Sequence, residues 1–163
     1  MAARIGLGGG CHWCTESVFL ALRGVSKVEQ GFIAAVPPDD GYSEAAAVTF
    51  DQNAIPLGVL IEIHLRTHAS TSDHKLRGKY RSAIYATSDR QASKMRQELD
   101  RLQKEFGALL VTRVLEFVSF NPSDPRYHDY YAKNAEGPFC TRYIDPKLDR
   151  LRDDFSGFLK QAR

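Results

Sequence analysis

Apolar positions along the chain recur at two spacings, one suited to strands and one to helices. Arg4 to Leu7 predicts a short strand that runs into Gly8, Gly9 and Gly10, where the backbone must turn sharply or approach something closely. A helical stripe follows at once in Val18, Phe19, Leu20, Ala21 and Leu22, with Glu16 near its positive end and Gly24 suited to a C-terminal cap. Val25 to Ala35 and Ala45 to Phe50 read as strands flanking the PPDDG turn, hence as antiparallel neighbours. Pro56 opens a helix over 56–69 that lines up Leu57, Leu60, Ile61, His64 and Leu65. After the polar run STSDHKLRGK, Tyr80 to Ala86 predicts a strand, and Asp89 to Phe106 a charged amphipathic helix capped by Ser88 or Asp89 and ended by Gly107. Val111 to Phe120 alternates as one further strand, and Asp124 to Lys133 and Pro146 to Lys160 read as helices around an irregular NAEGPFCTRY segment.

That order, β-α-β-β-α-β-α-β with short antiparallel connections, predicts an α+β two-layer sandwich on a split βαβ, ferredoxin-like plan, with extra helices and an irregular C-terminal segment. A length of 163 residues, 43% of them apolar, suits one domain over 1–163. Lysine and arginine number 22 against 20 acids, a net charge of +2 that is too small to point to nucleic acid or a membrane surface. A small molecule or peptide is the expected partner. No run approaches the roughly 18 apolar residues of a membrane span, and glycine interrupts the N-terminus before a signal-peptide core could form, so the expected location is cytoplasmic.

Cysteine usage changes the picture most. Cys11, Cys14 and Cys140 are too few for a secreted disulfide scaffold and cannot all pair within one chain, which leaves chemistry or metal. Cys11 falls where the glycine run meets a helix N-terminus, whose unpaired N–H groups favour a thiolate. Cys14 completes a C-x-x-C pair, and Trp13 between them is a candidate wall for an apolar substrate group, or simply core. Cys11, His12 and Cys14 are potential zinc ligands, but the second half of a zinc motif is missing, so no metal is expected.

GGGCHWCTESVF, followed by GVSKVEQGF, YSEAAAVTFD, HLRTHAST, GKYRSAIY, RYHDYYAKN and GPFC, resembles the A-type peptide methionine sulfoxide reductases over most of residues 5–148. The resemblance implies that Cys11 attacks the sulfur of methionine sulfoxide, releases methionine and is left as a sulfenic acid. Another thiol then closes a disulfide, which an external dithiol such as thioredoxin reduces, with no metal or organic cofactor. Sulfoxide oxygen is a poor leaving group, so an acid must stabilise the charge developing on it. Glu44 matches the family's catalytic glutamate, and to donate a proton it needs a buried site that favours the neutral carboxyl. Tyr80 matches a tyrosine that holds the sulfoxide oxygen. Cys140 matches the resolving cysteine in a mobile C-terminal segment, with Cys14 as rival or relay.

Several positions depart from the pattern. His12 stands where the signature has phenylalanine, which makes one wall of the substrate pocket polar and titratable. AAVPPDDGYSE replaces a longer segment that carries another oxygen-binding tyrosine, leaving Tyr42 as the candidate substitute. A family aspartate falls on Lys75, with Asp73 as its possible replacement, and Ala69 and Ser70 follow His68 where the family has aspartate and proline. The implied activity is thiol-dependent reduction of the S-epimer of methionine sulfoxide, free or in proteins. The alternatives are a divergent thiol oxidoreductase acting on another sulfoxide or a disulfide, and a non-catalytic binding module on the same fold.

Overall fold

The structure, a computed structural model, describes residues 2–72, 79–124, 133–134 and 136–160. The helix expected over 124–133 lies almost wholly outside these residues, as do Asp73 and Lys75. Strand β1 (Ala2–Gly8), helix α1 (His12–Leu20), strands β2 (Val25–Ala34) and β3 (Ser43–Asp51), helix α2 (Leu57–Thr67) and strand β4 (Ala83–Ala86) build the split βαβ core. Helix α3 (Asp89–Gln103) and strands β5 (Arg113–Glu116) and β6 (Ser119–Pro122) follow, and Asp145–Asp154 forms α4. The six strands make one sheet in the order β5-β4-β1-β3-β2-β6. β1 runs antiparallel between β3 and β4, β2 antiparallel to β3 as the turn between them predicts, and β5 parallel to β4. None of the helices among the described residues is long and apolar enough to cross a membrane.

The single strand predicted over Val111–Phe120 is two. β5 joins one edge of the sheet and β6 the opposite edge, antiparallel to β2, with only Phe117 and Val118 between them. Six strands laid flat at about 4.8 Å spacing span roughly 24 Å, whereas so short a link reaches about 10 Å. The sheet therefore curls until its edges meet. The Phe117 N–H donates to the Ala86 carbonyl at 2.9 Å and the Val118 N–H to the Ala34 carbonyl at 3.1 Å, tying each edge to the link. Gly6 permits the close packing within β1, since a Cβ there would lie 2.6 Å from Ile33 Cδ1 and 2.8 Å from Tyr85 Cβ.

Between the sheet and the helices, Ile5, Leu7, Val48 and Phe50 meet Phe19 and Leu22 of the α1 region and Leu60 and Ile61 of α2 in one continuous cluster. Burial of each such side chain contributes about 1.5–3 kcal/mol. A smaller cluster of Ile33, Ala35, Ala45, Ala83 and Tyr85 packs with Leu115, Phe117 and Phe120. Alanines at 45–47 are all buried, so β3 is covered on both faces.

Helix ends differ from the sequence pattern for local reasons. The Ser88 Oγ caps α3 by accepting the Gln91 N–H at 3.1 Å, but α3 stops at Gln103, whose side chain accepts the Leu110 N–H and donates to the Ala108 carbonyl. The segment expected to be irregular winds into a π-helical turn over Cys140–Ile144 that continues directly into α4. α4 ends at Asp154 rather than near Lys160. A 3₁₀ turn over Ser156–Phe158 then returns the chain to the end of α1, where the Arg23 N–H donates to the Phe158 carbonyl and the Lys160 N–H to the Ala21 carbonyl.

Candidate active site

The strand-turn-helix at residues 8–12 places Cys11 at the N-cap of α1, as the glycine run predicts. Gly9 has φ +150°, and a Cβ on it would lie 2.5 Å from the His68 ring, whereas the position at Gly10 is open. Two histidines brace this turn. His64 Nε2 donates to the Gly8 carbonyl at 2.8 Å, and His68, stacked on it at 4.2 Å between ring centroids, bonds Ser82 Oγ through Nε2. His68 thus supports the turn through its ring.

Cys11 and Cys14 share a hydrogen bond between their sulfurs, and this changes which thiol carries charge. Donation from Cys11 lowers the Cys14 thiol, and the nearby Lys147 ammonium lowers it further. The same bond, with burial, raises Cys11 well above the ordinary thiol range, and the Trp13 N–H offsets only part of that rise. The helix N-terminus therefore acts on Cys11 against its burial and the neighbouring thiol. Lys147 is a residue that the chain pattern did not single out. It reaches from α4, donates to the Thr67 carbonyl at the end of α2, and with Cys11, Cys14, His64 and His68 lines a cavity of about 40 Å³. Burial pulls its ammonium below the ordinary lysine range. The available signal was its place one helical turn before the buried Leu151, which puts it on the inward side of α4.

Glu44 stands on β3 opposite Phe32 of β2 and is 7% exposed. Its Oε1 accepts the His12 backbone N–H at 3.4 Å and lies 3.6 Å from His12 Nε2, while Oε2 lies 3.6 Å from Lys79 Nζ. His12 is buried rather than open to a pocket: its Nδ1 donates to the Gly31 carbonyl at 2.9 Å and its ring meets Phe32 edge-on. Lys79 and Tyr80 are held beside Glu44 because the Lys79 carbonyl accepts both the Glu44 N–H and the Ser43 hydroxyl. That lacing keeps Tyr80 in a turn, and the strand expected from residue 80 begins at Ala83. The Tyr80 hydroxyl, with Glu44 beyond it, holds the exposed Lys79 ammonium above the ordinary lysine range. Glu44, His12, Lys79 and Tyr80 therefore form one cluster, adjoining Cys11 through the His12 backbone.

The remaining candidates lie around it. Trp13 packs edge-on against Phe139 at 5.2 Å between centroids, joining α1 to the residue before Cys140. Cys140 is fully buried in the π-helical turn, where burial and the charge of Asp145 push its thiol up. This corrects the expectation of an irregular, approachable segment at that position. Tyr42 is half-exposed, and its hydroxyl pairs with Ser119 Oγ on β6 at 2.9 Å, which directs it to the sheet edge. All three cysteines are free, and the described residues contain no group of three or more His, Cys, Asp or Glu arranged to hold a metal ion.

Comparisons with known proteins bear on the family and the fold. The family model described as peptide methionine sulfoxide reductase matches residues 3–157. The chain is 31% identical over 167 residues to the peptide methionine sulfoxide reductase MsrA of Psychrobacter arcticus, covering 94% of this chain and 96% of that one. Among solved structures, reduced Mxr1 from Saccharomyces cerevisiae superposes with a TM-score of 0.74 at 20% identity over 85% of this chain and 89% of the other. Mxr1 in complex with Trx2 superposes with a TM-score of 0.62 at 20% identity over 79% and 84%.

Proposed function

Since the chain belongs to the peptide methionine sulfoxide reductase family, we propose that Cys11 is its nucleophile and Glu44 its acid in reducing the S-epimer of methionine sulfoxide. The activity is thiol-dependent and returns methionine. One observation supports the assignment of residues: the His12 N–H, one residue from Cys11, bonds Glu44 Oε1, which sets the carboxyl against the backbone next to the nucleophile.

In the first step the Cys11 sulfur attacks the sulfoxide sulfur while Glu44 gives its proton to the oxygen. The oxygen passes to Cys11 and methionine leaves. The sulfoxide is reduced by two electrons, Cys11 is oxidised to a sulfenic acid, and the thiol proton of Cys11 replaces the one Glu44 gave. Tyr80 and Lys79 add donors beside the same carboxyl. Trp13 and Phe32 supply apolar surface for the substrate's methyl group, with the His12 ring buried against Phe32.

For the second step, the resemblance favours Cys140 as the resolving thiol, whereas Cys14 lines the same small cavity as Cys11. Cys14 is the first partner in this reading, and Cys140, buried next to the aromatic contact of Trp13, is a later relay. A thioredoxin-like dithiol completes the cycle, a role supported by the likeness to Mxr1 solved with Trx2. A dithiol reductant of this kind fits a cytoplasmic location.

The test is to incubate reduced protein with equal R and S epimers of a blocked methionine sulfoxide and dithiothreitol, with Cys11→Ser as control, and to follow both by chiral chromatography. Selective loss of the S-epimer is expected. Consumption no faster than in the control would overturn the reading.

A further inference from the structure

We propose that Lys147 is the positioning cation of the resolving step, holding Cys14 as the thiolate that attacks the Cys11 sulfenic acid. Its geometry comes from three elements: α1 supplies the two thiols, the end of α2 supplies the Thr67 carbonyl that anchors the ammonium, and α4 supplies the lysine. A cavity of about 40 Å³ has room for little more than a water or two, so solvent screens the charges weakly. A buried ammonium is costly unless paired, and the Thr67 carbonyl is neutral. The Cys14 thiolate is the counter-charge. Consistent with this, Lys147 lowers the Cys14 thiol, and the charge of Cys14, ahead of that of Cys11, favours the ammonium in return.

The other titratable groups lining this pocket are Cys11 at the start of α1 and His64 and His68 from α2 and its end, while Glu44 on β3 and Cys140 on the π-helical turn lie outside it and interact with Cys14 electrostatically. Glu44 disfavours negative charge on Cys14 and Cys11 donates to it, and the Lys147 ammonium is the cation that favours it.

The step balances in atoms and charge. Cys14 sulfur forms a bond to Cys11 sulfur, the S–O bond of the sulfenic acid breaks, and hydroxide leaves with the bonding pair. Cys14 is oxidised and the sulfenic sulfur reduced. Once the thiolate has become a neutral disulfide, the ammonium has lost its counter-charge, and burial already favours its neutral form. It therefore gives a proton to the hydroxide, and water departs.

This inference rests on the assignment of Cys11 and Cys14 above, but its test does not require turnover. Thiolate absorbance of the reduced protein is titrated for the wild type, Lys147→Met, Lys147→Gln and Lys147→Arg, with circular dichroism to verify folding. Gln keeps a donor for the Thr67 carbonyl without the charge, so it separates electrostatics from anchoring. Both neutral variants are expected to ionise at least about one pH unit higher, a tenfold change in the constant, and Arg to restore the wild-type midpoint. A wild-type midpoint in Lys147→Gln overturns the proposal. In single turnover, the neutral variants are expected to release methionine yet accumulate dimedone-trapped Cys11 sulfenic acid, with disulfide closure slowed about tenfold. Closure at the wild-type rate would overturn the proposal equally. Failure of the wild type to release methionine would instead count against the proposed function, and the titration would still decide the role of Lys147.

Discussion

His12 Nε2 lies 3.6 Å from Glu44 Oε1 while the same imidazole donates from Nδ1 to the Gly31 carbonyl. The ring is thereby fixed through Nδ1, and its other nitrogen stands beside the carboxyl. The backbone N–H of His12 touches the same oxygen, so helix α1 and strand β3 are joined at the residue after the nucleophile.

Replacing Glu44 by Gln keeps the size and the acceptor but removes the proton. The expected outcome is methionine release slowed by about 10²- to 10⁴-fold in a single turnover, with folding unchanged by circular dichroism. An unchanged rate would reduce Glu44 to a buried structural carboxyl.

His12→Phe restores the residue that the family signature carries and keeps an aromatic edge for Phe32, but it removes the donor to Gly31. Loss of that buried bond is expected to cost about 1 kcal/mol in urea denaturation. Equal or greater stability in the variant would mean that the imidazole bond adds nothing net.

Peptide mapping after one equivalent of sulfoxide is expected to find Cys11 joined to Cys14. Cys140→Ser should form the same bond at the wild-type rate, because a fully buried thiol within a helical turn must open locally before it can reach Cys11. A first product linking Cys11 to Cys140 would return that residue to the primary role.

Asp39 and Arg113 form a two-pronged pair at 2.8 and 3.0 Å that joins the turn after β2 to β5. The guanidinium holds the Asp39 carboxyl below its ordinary value. Because the folded-state value is the lower one, the contribution is complete above the unfolded value of about 3.9 and is lost as pH falls through the folded value. Arg113 is 53% exposed, which limits the pair to about 0.2–1 kcal/mol. Arg113→Gln should therefore be less stable than the wild type near neutral pH, and the difference should vanish in acid. A gap that persists in acid would assign the loss to packing.

Features set by neighbours in the chain were legible without the fold. Short apolar runs between turn signals marked β1 to β4, the 3.6-residue stripe marked α1 to α3, and Gly8 to Gly10 before Cys11 marked the reactive turn, because backbone preference and burial act over a few residues. Glu44 and Tyr80 were reached through the family resemblance, and Lys79 stands between them, close to both. What the tertiary structure alone decided depends on groups far apart in sequence. The split of Val111–Phe120 follows from the curl of a sheet whose two edges it joins. Tyr42 turned to Ser119 and Cys140 sank into a helical turn through packing that no local pattern encodes. Most of all, Lys147 of α4 reaches the cavity of Cys11 and Cys14 from far along the chain, and Coulomb attraction acts through space, whatever the separation in sequence.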